Sequence, residues 1–143
     1  MRYLPPGIVL VLVATGCGSG DPYTYVPVSG RVTLNGKGLP NATISFQPIA
    51  VGTSTPGTGS SGITDKDGFY KLAVVGKNIN GAVVANHKVR IDFAHEPEKD
   101  PSDDQQKRGK HLPAKYSGKG TILEFEVLPG GSDAANFELK SRP

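Results

Sequence analysis

Thirteen Asp and Glu residues, three histidines and one cysteine carry most of the reactive chemistry of this chain. Two of the carboxylates stand close together, in Asp65-Lys66-Asp67-Gly68. A hard cation such as calcium wants about six to eight oxygens around it. The EF-hand loop puts Gly at its sixth position and a bidentate Glu at its twelfth. Here Gly68 comes fourth and Gly76 twelfth. The stretch therefore reads as a hairpin turn, in which Asp accepts local N–H bonds and Gly supplies a positive φ. Asp65 and Asp67 remain the candidate binding residues, and no metal site and no cofactor are expected. His87, His95 and His111 lack the spacing of zinc ligands. His87 falls on the apolar side of a strand pattern, the place of a hydrogen-bonded core or rim histidine. No Ser sits in a Gly-x-Ser-x-Gly elbow. Sugar binding leans on aromatic platforms, and the chain has no Trp. Tyr70 reads as core, and Tyr23 and Tyr25 as part of a tether.

The sole cysteine, Cys17, cannot form an internal disulfide. It follows Ala14-Thr15-Gly16 and an unbroken apolar run from Ile8 to Ala14. That run falls short of the roughly 20 residues needed to span a bilayer. It has the length of a signal-peptide core. The arrangement resembles the bacterial lipobox, in which a small residue precedes a cysteine that receives a diacylglyceryl group. That resemblance implies a signal peptide over residues 1–16 and lipidation of Cys17. Each buried methylene contributes about 0.8 kcal/mol, so two or three acyl chains hold a small domain at a membrane. A plain secretory signal with Cys17 as a free thiol is the alternative. Residues 17–25, polar and turn-rich, read as a tether.

The elements that must position these residues are strands. Val26, Val28, Val32 and Leu34 share one parity, and so do Ala42, Ile44 and Phe46. Strict alternation of this kind predicts half-buried strands, with Asn35-Gly36 as a tight reversal between them. Further strands are expected at 62–64, 69–74, 83–93, 121–127 and 135–139. Gly 19 and Pro 12 in 143 residues suit a loop-rich all-β chain of one domain, placed at 26–141. Residues 49–61 form a Gly-, Ser- and Thr-rich loop. Residues 94–120 form a long charged loop, pinned by the apolar knot Leu112 to Tyr116. The net charge of +3 is spread along the chain without a run of like charges. Nucleic acid is therefore excluded as a partner. The sum is a seven-stranded antiparallel β-sandwich behind an N-terminal signal peptide.

Three stretches together carry a family resemblance: Val28 to Val32, Leu39 to Ile44, and Thr64 to Tyr70. They resemble the carboxypeptidase regulatory-like domain, a transthyretin/prealbumin-like sandwich. Leu112 to Tyr116 and Val127 to Leu139, joined to a lipobox, look like a narrower group of small lipoproteins of planctomycete-type bacteria. The resemblance covers Cys17 to Lys140. It implies a lipid-anchored cell-envelope module without a catalytic role, held at the cell or outer membrane through Cys17. Its implied partners are an envelope protein or polysaccharide. A glycan- or metal-binding module and a transthyretin-like hydrolase are the alternatives. The hydrolase signature Tyr-Arg-Gly-Ser is absent from the C-terminus, which reads Leu139-Lys140-Ser141-Arg142-Pro143.

Overall fold

The computed structural model describes residues 20–94 and 112–141. The signal segment with Cys17 and the loop portion with His95 and His111 lie outside the described residues. The described chain is all-β. Its strands are β1 (Tyr25–Val26), β2 (Ser29–Leu34), β3 (Lys37–Gly38), β4 (Ala42–Pro48), β5 (Ser60–Ile63), β6 (Phe69–Lys71), β7 (Ala73–Val74), β8 (Ala82–Val83), β9 (Asn86–Phe93), β10 (Glu124–Glu126) and β11 (Phe137–Leu139). One sheet runs β10-β9-β4-β5-β7. A second is built on β2, which pairs with β11, β3 and β6. β1 and β8 form a two-stranded pair.

The two sheets share one core. Ile44 and Phe46 of β4, Val89 and Ile91 of β9, Val32 of β2 and Leu139 of β11 are all buried within it. The Phe46 ring meets Phe125 at 5.7 Å within its own sheet and Phe137 of the other sheet at 6.0 Å, edge to face. Such aromatic contacts add to the burial that drives the sheets together. Leu112 and Tyr116 belong to the same core. Tyr116 accepts the Ile91 N–H through its carbonyl and the Lys140 N–H through its hydroxyl. The apolar knot of the long loop is thus docked where the sequence places it.

Eleven strands are found among the described residues, against the seven expected. Each of the seven expected segments contains strand, over part of its length, and three of them divide between partners. Pro27, which has no N–H to give a ladder, separates β1 from β2. Residues 69–74 cross between sheets: β6 pairs with β2, and β7 pairs with β5. Residues 82–93 likewise split, with β8 on β1 and β9 on β4. The eleventh strand, β3, follows the Asn35-Gly36 reversal. Alternation fixes which side of a strand is buried and says nothing of which neighbour it pairs with.

Two further corrections follow from pairing. Asn35 and Gly36 have φ of 51° and 83°, as a tight hairpin turn requires. That turn joins β2 to β3, however, and β4 crosses to the opposite sheet to pair with β5 and β9. The pairing is also not wholly antiparallel, because β11 runs parallel to β2 with Phe137 opposite Val32. A parallel neighbour needs a long connection, and most of the chain lies between these two strands.

Candidate functional site

The turn carrying Asp65 and Asp67 is built from both sides. Thr64, buried at the end of β5, accepts the Ala42 N–H on its hydroxyl at 2.8 Å. This fixes the direction in which the chain leaves the first sheet. The Asp65 N–H then donates to the Phe69 carbonyl at 2.8 Å, and the Gly68 N–H to the Asp65 carbonyl at 3.0 Å. Gly68 has φ of 85°, and a Cβ there would stand 2.3 Å from the Val32 carbonyl oxygen. Only glycine fits that position without strain.

The Asp65 side chain is occupied within the turn. Its Oδ1 accepts the N–H groups of Asp67 at 2.9 Å and Phe69 at 3.0 Å. Asp67 takes part through its backbone, whose carbonyl accepts Arg31 Nε–H at 2.9 Å. The Arg31 guanidinium also lies 5.2 Å from the centre of the Phe69 ring, a cation–π distance. The Arg31 N–H donates to Asn136 Oδ1 at 2.9 Å. Arg31, Phe69 and Asn136 are thus locked to the turn from three separate strands or strand ends.

These residues border an open groove of about 470 Å³, lined also by Ile63, Lys71 and Asp133. Ile63 and Phe69 are both largely exposed there. The groove offers apolar surface, two cationic side chains and two carboxylates. Such a surface suits contact with an extended chain or polymer. The outward parity of Arg31 and Lys71 is readable in sequence, whereas their meeting with residues 133 and 136 depends on the parallel pairing of β11.

The other groups with reactive chemistry are built into the fold. His87 is fully buried, with Nε2 2.8 Å from the Val83 carbonyl and its ring 5.4 Å from Phe46. Burial pushes its pKa below the ordinary value, against the pull of the Val83 carbonyl. Tyr70 donates its hydroxyl to the Ala135 carbonyl at 2.5 Å, and burial raises its pKa strongly. Tyr70 stands opposite Gly30, where a Cβ would lie 2.0 Å from that same Ala135 oxygen. Gly30 therefore leaves the space through which the carbonyl reaches the tyrosine.

At the N-terminal side, Tyr25 donates to Asp21 Oδ2 at 2.7 Å, and Lys77 pairs with the same carboxylate. The hydrogen bond from Lys77 holds the Asp21 carboxyl below its usual pKa, and the same bond raises that of Lys77. Tyr23 donates to the Thr55 carbonyl at 3.1 Å. Asp21, Tyr23 and Tyr25 are engaged by the domain. Among the described residues, no three His, Cys, Asp or Glu side chains gather as a metal would need, and no helix is long and apolar enough to cross a membrane. Comparison of the chain with family models, curated proteins and solved structures finds no match.

Proposed function

We propose that the chain is an exported, lipid-anchored module of the cell envelope, a transthyretin-like β-sandwich of the carboxypeptidase regulatory-like type. Its role is structural or interactive, and it performs no catalysis. The observation that carries this reading is where the polar groups are used. Asp65 closes a turn, His87 and Tyr70 bond to carbonyls inside the core, and Asp21 with Lys77 ties down the start of the domain. Each spends its chemistry on holding backbone in place. What the sandwich offers to the outside is loops and an open groove, the usual means by which a rigid β scaffold makes contact. Two sheets around a single core support the transthyretin-like assignment.

The anchor is tested by mass spectrometry of the mature protein expressed in a bacterial host. The reading requires an N-terminal peptide that begins at Cys17 and carries acyl groups. An unmodified Cys17, or cleavage elsewhere, removes the anchor.

A second reading, a glycan-binding module, is favoured by Phe69. This aromatic is 53% exposed in the groove, beside Arg31 and Asn136. Binding on a glycan array that disappears in Phe69→Ala would establish it. An array without signal would leave protein contact as the role of the groove.

A further inference from the structure

The strands give the molecule two ends, and the loops at one of them carry almost no charge. β4 runs from Ala42 to Pro48, with Phe93 opposite the first and His87 opposite the last. The Pro48 end gathers loop 49–59, the 75–81 connection and the 128–132 turn. The bonds that place them there are Ile49 N–H to the Asn86 carbonyl, Val75 N–H to Gly59 and Val127 N–H to Ala85. The chain also comes into the fold at this end, through Tyr23 on Thr55 and Thr24 on Val84.

These three loops contain no Asp or Glu, and Lys77 is their only charged residue. Its charge is met by Asp21. The nearest carboxylates along the chain, Glu126 and Asp133, flank the 128–132 turn. Each loop nevertheless presents a large apolar side chain to solvent: Val51 is 76% exposed, Val75 56% and Leu128 55%. The other exposed large apolar side chains, Ile63, Phe69 and Ile122, lie in segments that carry charge, with exposed Lys66, Asp67, Lys71, Lys119 and Glu124 close to them in sequence. An end whose loop charge is confined to the Lys77–Asp21 pair, tipped by Val and Leu, loses little on leaving water and gains by burying its tips.

We propose that this end rests on the lipid surface to which Cys17 is attached, with Val51, Val75 and Leu128 in the headgroup layer. The inference rests on the lipid anchor and goes beyond it by assigning an orientation. Four residue steps separate Cys17 from Asp21, the first of the described residues bonded to the domain. Fully extended, they span at most about 14 Å. The opposite end of β4 lies a further 20 Å or so away at the usual rise per residue. A domain held this closely meets the membrane with some part of itself. This end, with its single Lys77–Asp21 pair, is both the nearest and the least costly to desolvate. Tyr23 and Tyr25 then stand at the depth where tyrosines favour a membrane interface. The groove beside Arg31 and Phe69 is left facing the envelope.

The absence of Trp from the chain supplies a clean probe. Single tryptophans are placed at Val51→Trp, Leu128→Trp and, on the Asp65 turn, Lys66→Trp. Each full-length lipoprotein is reconstituted in phosphatidylethanolamine–phosphatidylglycerol vesicles, with and without brominated acyl chains. The expected result is blue-shifted emission and quenching by brominated lipid at positions 51 and 128, and neither at 66. Equal quenching at all three positions, or none at any, while the protein floats with the vesicles overturns the orientation and leaves the anchor standing. Protein that does not float with the vesicles overturns both.

Discussion

Single side chains in this molecule are legible once their hydrogen-bond duties are known. Tyr70 reaches across Gly30 to the Ala135 carbonyl, so Tyr70→Phe leaves a buried acceptor without its donor. The expected loss is about 1–2 kcal/mol of stability. Urea denaturation checks it, and an unchanged midpoint would show that the carbonyl finds another partner. His87 carries a pH dependence of definite sign. Its folded pKa lies below the ordinary 6.5, so above that value both the folded and the unfolded forms are neutral. As pH falls through 6.5 the unfolded chain takes up the proton first, and stability declines until the folded pKa is reached. Urea midpoints should therefore drop between about pH 7.5 and pH 5 more steeply for the wild type than for His87→Gln. Parallel slopes would mean that the buried ring is not what titrates.

The elements show why alternation carries some conclusions and not others. Buried parity at Val32, Ile44, Phe46, Val89 and Ile91 follows directly from a period of two, and each of these side chains is in the core. The same rule is blind to partners. It does not reveal that β4 leaves β2 for the other sheet, that residues 69–74 change sheets at Leu72, or that β11 returns parallel to β2. Those outcomes depend on long-range pairing, which local pattern does not encode. The candidate site shows the same division. Asp65 and Gly68 are readable as turn residues from their types, while Arg31, Asn136 and Asp133 join them only through tertiary pairing. The turn role makes a sharp prediction. Asp65→Ala removes the acceptor for two N–H groups and should cost about 1 kcal/mol. Asp65→Asn keeps an oxygen at the same place and should be close to neutral. A large loss with Asn as well would show that the carboxylate charge itself is needed, and would favour a bound cation.

At the scale of the whole molecule, Cys17 stands four positions before Asp21, where the contacts of the described residues with the domain begin. Under the proposed anchor, the short spacing would turn a lipid on Cys17 into a constraint on the domain, with one end toward the surface and the groove exposed. Acyl chains of this kind supply membrane affinity far beyond what exposed Val51, Val75 and Leu128 add by themselves. In the proposed arrangement the tips orient the domain and the lipid retains it. The most direct measurement is the distribution of wild type and Cys17→Ser between membrane and soluble envelope fractions of the same bacterial host. With lipid on Cys17, wild type is expected in the membrane fraction and Cys17→Ser in the soluble one, with both equally folded. Wild type recovered in the soluble fraction alongside the variant would contradict the anchor, and the chain would then be a free exported domain.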